Sequence, residues 1–295
     1  MAEKILLDTD IGTDIDDAIC LAYLLANPEC NLLGITTVTG EAVKRAMLAS
    51  ALCKIAGKDI PIYPGCETPL LIKQKQKIAI QARALKNWDH EENFPRFEAV
   101  NFLRNTIRSN PGEIILLTIG PLTNIAVLFS MDPEIPSLLK GMVLMCGYFE
   151  RKYKSVFPLE WNARGDYHAS DIVFRTRPPF MRSVGLDVTS RVKMKSREFK
   201  EVFSFDILRP VLDYSDYWFK KYKHVTFHDP LAAASIFDDG ILDFRKGNVE
   251  IELDKKGHKG LTRWKSHKRT GFHEVAVEVD RDRFFQHYLS MFRDK

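Results

Sequence analysis

The chain has 295 residues, 45% hydrophobic and 28% charged, with 43 Lys and Arg against 39 Asp and Glu. That composition belongs to a folded globular protein and excludes a disordered or fibrous one. The formal net charge of +4 is too small at this length to select for nucleic acid or an acidic membrane, so the expected partner is a small molecule.

The cysteines at 20, 30, 53, 66 and 146 form no C-x-x-C pair. They read as free thiols of a reduced protein, without a zinc or redox role. The opening MAEKILLDTD has no apolar core of signal-peptide length. The longest apolar helix candidate, Ala18–Ala26, has nine residues against the roughly 20 needed to span a bilayer. A soluble, cytoplasmic protein is expected.

In chain order, Lys4–Leu7 reads as a short buried strand, and Asp16-Asp17 opens a helix over Ala18–Ala26 that Asn27-Pro28 stops. Leu32–Val38 predicts a strand, Val43–Ala56 a helix closed by Gly57, and Ile60–Tyr63 a short strand. Glu67–Phe94 is polar and Lys/Gln-rich and reads as an excursion or lid. Arg96–Ser109 predicts a helix, Ile114–Thr118 a strand, Pro121–Phe129 a helix with Pro at its start, and Met142–Met145 a strand. Lys195–Asp239 reads as mostly helical, Val275–Asp280 as a strand and Arg281–Met291 as a helix. Strands alternating with helices imply an α/β fold with a mainly parallel, doubly wound sheet. No linker or repeat divides residues 1–295, so one domain is expected.

The chemistry concentrates in DTDIGTDIDDA, Asp8 to Ala18, where aspartates stand at 8, 10, 14, 16 and 17. They follow the first strand, at the strand end where ligands bind in this architecture. So many carboxylates repel one another unless a cation sits among them, and Ca²⁺ accepts six to eight oxygens in irregular geometry. Taken singly, Asp16 or Asp17 could cap the helix and Asp14 could form a turn. An EF-hand is disfavoured, because Thr13 and Ile19 stand where its loop needs Gly and Glu. Asp8-Thr9-Asp10 also resembles the start of a haloacid-dehalogenase-type phosphatase, with Asp8 as nucleophile and Mg²⁺ as metal. Gly12 breaks that pattern.

The same stretch resembles the N-terminal fingerprint of the inosine-uridine preferring nucleoside hydrolase family, which more often reads D-T-D-P-G-x-D-D-A. The form here is two residues longer before the aspartate pair. Gly34–Gly40 (GITTVTG), Leu117–Ala126 (LTIGPLTNIA), Glu160-Trp161-Asn162 and Phe227–Ala234 (FHDPLAAA) resemble further elements of the family in the same order.

The resemblance implies a Ca²⁺ site built from Asp10, Asp17, Asp229 and the main-chain carbonyl of Ile119, with Asp8 orienting its neighbours. It implies Asp16 on a ribose hydroxyl, Glu160 and Asn162 on the sugar, and His228 beside the nucleobase as proton donor. Asn124 matches a family position and also reads as a cap or brace. The implied reaction is hydrolysis of the N-glycosidic bond of a ribonucleoside through an oxocarbenium-like transition state. Water made acidic by the cation would lose its proton to Asp10. Homodimers or homotetramers are implied by resemblance alone.

The chain departs from the family where Glu41 replaces the usual Asn after Gly40 and Lys154 stands where a sugar-binding Asn is common. Both are candidate substrate contacts, either paired with each other or with Lys154 facing an anionic 5′ group. They also motivate a second reading, a relative that binds ribosides without turnover. The run Lys255–Arg269 has seven Lys and Arg around Trp264 and no acid. It reads as a solvated hairpin or loop, with stacking of Trp264 on a nucleobase or on single-stranded nucleic acid as alternatives.

Overall fold

The computed structural model describes residues 2–150, 159–267 and 269–292. In chain order it contains β1 (Glu3–Thr9), α1 (Asp16–Ala26), β2 (Cys30–Thr37), α2 (Ala42–Ile55), β3 (Ile62–Pro64), α3 (Ala99–Ser109), β4 (Ile114–Thr118), α4 (Thr123–Met131), α5 (Ile135–Leu138) and β5 (Gly141–Leu144). Then follow α6 (Trp161–Gly165), α7 (Tyr167–Phe174), β6 (Met181–Ser183), α8 (Leu186–Thr189), β7 (Lys193–Lys195), α9 (Ser196–Val202), α10 (Arg209–Phe219), β8 (His224–Thr226) and α11 (His228–Ala234). The chain ends in β9 (Leu242–Ile251), β10 (Thr262–Ser266), β11 (His273–Val279) and α12 (Arg281–Ser290).

The main sheet has the order β10-β9-β11-β6-β5-β4-β1-β2-β3. Pairing is parallel from β3 to β6 and on to β11, and antiparallel only at β9 and β10. The expected mainly parallel, doubly wound sheet is therefore present. Its first six strands lie in the order 3-2-1-4-5-6, and the winding reverses between β1 and β4. That reversal opens a crevice at the carboxyl ends of these two strands.

The core explains why these runs form strands. Ile5 and Leu7 of β1 pack on one face with α1 and α2, while Leu6 packs on the other with α3 and α4. A strand buried on both faces needs an unbroken apolar run, which Ile5–Leu7 supplies. β1 then continues two residues past Leu7, so Asp8 and Thr9 are strand residues and Asp10 opens the loop. Helix α1 is buried along its whole length and packs on α11, where Ala232, Ala233 and Ala234 are also buried. Small side chains at that contact bring the first turns of the two helices together.

Several expectations are refined. Lys195–Asp239 is mostly helical as expected, but β8 interrupts it and pairs with β7 in a separate two-stranded sheet. β6 has three residues, too few to display a period, and the charged face of β9 hides its strand pattern. The helix expected from Pro121 begins at Thr123. Glu67–Phe94 holds only a 3₁₀ segment, Ile80–Asn87, and otherwise runs as irregular chain across the mouth of the acidic loop. The basic run is a hairpin whose second strand is β10, as expected. Trp264, however, is no free stacking surface. Its indole lies across Gly247, its ring nitrogen is buried, and it packs with the core. The cysteines are free thiols, four of them buried. Among the described residues no helix is long and apolar enough to cross a membrane.

His273 shows how the β9–β11 addition is pinned. The Val249 N–H donates to its Nδ1 at 3.0 Å, and its Nε2 lies 2.9 Å from the Phe174 carbonyl. Those partners require the neutral imidazole with the proton on Nε2. Burial lowers its pKa to about 4, and Arg177 adds to the shift. A folded-state pKa below the unfolded 6.5 means that the unfolded chain takes up the proton first. The contribution is therefore complete above pH 6.5 and is lost as pH falls toward 4. Chemical denaturation at pH 7 and pH 4.5 should show a loss of which about 2.5 kcal/mol traces to this group. His273→Gln should shrink that difference.

Candidate active site

The acidic loop is held from below. Thr9 Oγ1 donates to Asp17 Oδ1 at 2.5 Å and accepts from the Ile11 N–H at 3.1 Å. Gly12 turns the loop with φ +127°, and a Cβ there would lie 2.9 Å from Leu48 Cδ1. Asp8 is fully buried. Its Oδ1 accepts from Thr36 Oγ1 at 2.5 Å and from Asn124 Nδ2 at 2.7 Å, and its Oδ2 has no partner among the described residues. Burial pushes its pKa up to about 7. An enclosed carboxyl of this kind has no access to a substrate phosphate, which removes the phosphatase reading of Asp8. Asn124 also donates to the Thr37 carbonyl and accepts from the Cys66 N–H, so it braces three strand ends.

Oxygens of Asp16, Asp17 and Asp229 lie within 4.8 Å of one another, and all three residues are buried. Asp16 and Asp17 open α1, Asp229 lies in the first turn of α11, and the Asp229 N–H donates to Asp16 Oδ2 at 3.3 Å. The resemblance implied Asp10 as the third carboxylate of the metal set. In this geometry Asp16 completes the close group, and Asp10 stands next to it. Burial, and then repulsion from the neighbouring carboxylates, raises the pKa of Asp16, Asp17 and Asp229 well above the usual range. Asp10 is raised by burial as well.

The fully buried Arg45 on α2 was not singled out in the sequence, where it looked like one more helix-surface cation. It donates to the main-chain carbonyls of Asp10, Ile11 (3.0 Å) and Gly40 (2.9 Å). One guanidinium cannot balance this many carboxylates in a low-dielectric pocket. The donor set is all oxygen, anionic and preassembled, which fits a hard divalent cation. Ile119 O, the expected main-chain ligand, accepts from Asn162 Nδ2 at 3.0 Å, and a carbonyl retains a second lone pair.

The other predicted contact residues have these partners within the chain. Glu160 caps α6, and its oxygens accept from the N–H groups of Asn162, Ala163 and Gly147. Asn162 spends its amide hydrogens on the carbonyls of Ile119 and Met145. Glu41 has left-handed φ of 62° and accepts from Lys44 Nζ and the Ala79 N–H at 2.6 and 2.9 Å. Lys154 lies outside the described residues. Asp14 accepts from the Ile15 N–H at 2.6 Å, as a turn former does. His228 pairs its Nδ1 with Thr189 Oγ1 at 2.7 Å, and burial lowers its pKa to about 4. It is therefore neutral at pH 7, with Nε2 without a partner among the described residues. Arg45→Met should lower stability by about 3–5 kcal/mol in urea denaturation, because three buried carbonyls and the acid group lose their cation together.

The comparisons agree with this geometry. The family described as inosine-uridine preferring nucleoside hydrolase matches residues 5–286. An inosine-uridine preferring nucleoside hydrolase of Crithidia fasciculata is 31% identical, over 97% of this chain and 96% of its own. Uridine nucleosidase 1 of Arabidopsis thaliana is 29% identical, over 93% and 88%. Among solved structures, a plant nucleoside hydrolase superposes with a TM-score of 0.86 at 24% identity, covering 100% of both chains. A purine-preferring ribonucleoside hydrolase from Gardnerella vaginalis gives 0.83 at 23% identity, covering 98% of both. The chain belongs to the inosine-uridine preferring nucleoside hydrolase family, whose members are N-ribosyl hydrolases acting on ribonucleosides.

Proposed function

We propose that this chain hydrolyses ribonucleosides in a Ca²⁺-dependent reaction, with Asp10 as the base that takes a proton from water. The observation that carries the reading is the convergence of buried Asp16, Asp17 and Asp229 within 4.8 Å at the β1/β4 crevice. Asp17, Asp229, Asp10 and the Ile119 carbonyl would hold the ion, and Asp16 would meet a ribose hydroxyl. When bound, Ca²⁺ makes nearby water more acidic and draws in the ribose hydroxyls.

The chain's own residues supply the remaining steps. Asp10 receives one water proton as the oxygen bonds to the anomeric carbon. The carbon–nitrogen bond breaks, and its electron pair leaves with the nucleobase. His228 is neutral, so when the Thr189 hydroxyl donates to its Nδ1, its Nε2–H can donate a hydrogen bond that stabilises the charge on the departing base while the ring keeps its proton. Thr189 is fully buried, which holds the ring in place. Asn162 ties the Ile119 carbonyl to α6 and so fixes the pocket floor.

Release of reducing sugar from uridine and inosine tests the reaction directly. A Ca²⁺ chelator should abolish turnover and lower the melting temperature, and added Ca²⁺ should restore both, because an ion that binds only the folded state stabilises it. An unchanged rate in excess chelator would remove the metal from the proposal. Asp10→Asn should lower kcat about 1,000-fold or more, and His228→Ala about 100-fold, with KM little changed. A normal kcat in His228→Ala would leave the base to depart unassisted.

A further inference from the structure

The irregular segment between β3 and α3 sends one side chain into the acidic loop. Gln76 Nε2 lies 3.0 Å from Asp10 Oδ2 and 2.9 Å from Thr13 Oγ1. An amide NH₂ has two hydrogens, and these contacts use one each. The opposite oxygen, Asp10 Oδ1, lies against the end of β4, where a Cβ added to Gly120 would be 3.1 Å away. Gly120 follows Ile119, the expected main-chain ligand. The amide thus holds the outer oxygen of the Asp10 carboxylate and turns the inner one toward the pocket floor. From the other side Arg45 holds the Asp10 main-chain carbonyl.

The segment is tied down on both sides of Gln76. The Gln76 N–H donates to Gln74 Oε1 at 2.9 Å, and Gln74 Nε2 donates to the Glu67 carbonyl at 2.7 Å. Past Gln76, the Ala79 N–H donates to Glu41 Oε2, and fully buried Gln81 donates from Nε2 to the Asp14 carbonyl at 2.8 Å. The main chain of the segment presses on Gly40, where a Cβ would sit 2.7 Å from the Lys77 carbonyl. These ties give the unusual Glu41 a purpose. Its carboxylate reaches the strap that carries Gln76, one residue beyond the glycine that the strap touches.

We propose that Gln76 is the positioning residue for Asp10, fixing the plane of its carboxylate through a donated hydrogen bond, with Glu41 clasping the strap that presents it. The inference rests on the reading of Asp10 as the proton acceptor. A general base works only when its lone pair is aimed at the proton, and small displacements there are costly in rate.

The test uses the full chain with Ca²⁺, and uridine and inosine as probes. Gln76→Met keeps length, packing and neutrality but loses the donor, so it separates positioning from simple filling of space. Gln76→Met and Gln76→Leu should each lower kcat about 10-fold or more. KM should stay within about 3-fold, and the melting temperature within about 2 °C of wild type. Glu41→Ala should reproduce the kcat loss in part. Gln76→Leu should cost nothing further in an Asp10→Asn background, since the group it positions is already gone. Wild-type kcat in Gln76→Met would overturn the proposal. So would a lower KM at unchanged kcat in Gln76→Leu, the mark of a side chain that substrate displaces. An Asp10→Asn enzyme with near wild-type kcat would instead overturn the reading of Asp10 itself. A dead Asp10→Asn enzyme beside unimpaired Gln76 variants would overturn only the role of Gln76.

Discussion

Like charge confined in a dry crevice governs this structure. Asp16, Asp17 and Asp229 lie within 4.8 Å of one another in the protein interior, with Asp8 and Asp10 close by. No sequence would keep such a group for stability alone, because each burial raises the cost of the next ionised carboxylate. The fold meets that cost in part with Arg45, with hydrogen bonds from Thr9 and with the Asp229 N–H. The remaining demand is for positive charge, and it is what makes the crevice a cation site.

The sheet puts the group where it can act. The strand order reverses between β1 and β4, so Asp10 and Ile119 leave adjacent strands at the mouth of one crevice. The packing of α1 on α11 then carries Asp229 across more than 200 residues of chain to meet Asp16 and Asp17. The two-stranded β7–β8 sheet leads into α11, and Thr189 at the end of α8 holds the His228 ring. Helices thus place Asp16, Asp17 and Asp229, and Thr189 steadies the His228 ring.

The polar segment 67–94 completes the enclosure. It has little regular structure because its backbone partners are loop groups, among them the Gly12 carbonyl and the Glu41 carboxylate. Its side chains Gln76 and Gln81 hold the acidic loop from the solvent side, as Arg45 does from the core side.

Much of this was legible in the chain. Buried parallel strands need continuous apolar runs, so β1, β2, β4 and β5 were readable, and the aspartates of Asp8–Asp17 announced cation chemistry by charge alone. Short β6 and the charged β9 were not readable, because three residues show no period and a strand with one face exposed need not be apolar. Side-chain direction was also beyond the sequence. Glu160 is a helix cap, Glu41 a clasp, Asp16 a member of the close carboxylate group and Arg45 a buried counter-charge. The physical reason is one of range. Composition determines which groups must be buried or balanced, whereas the partner that balances them arrives from a distant segment, and only the packed tertiary structure selects it.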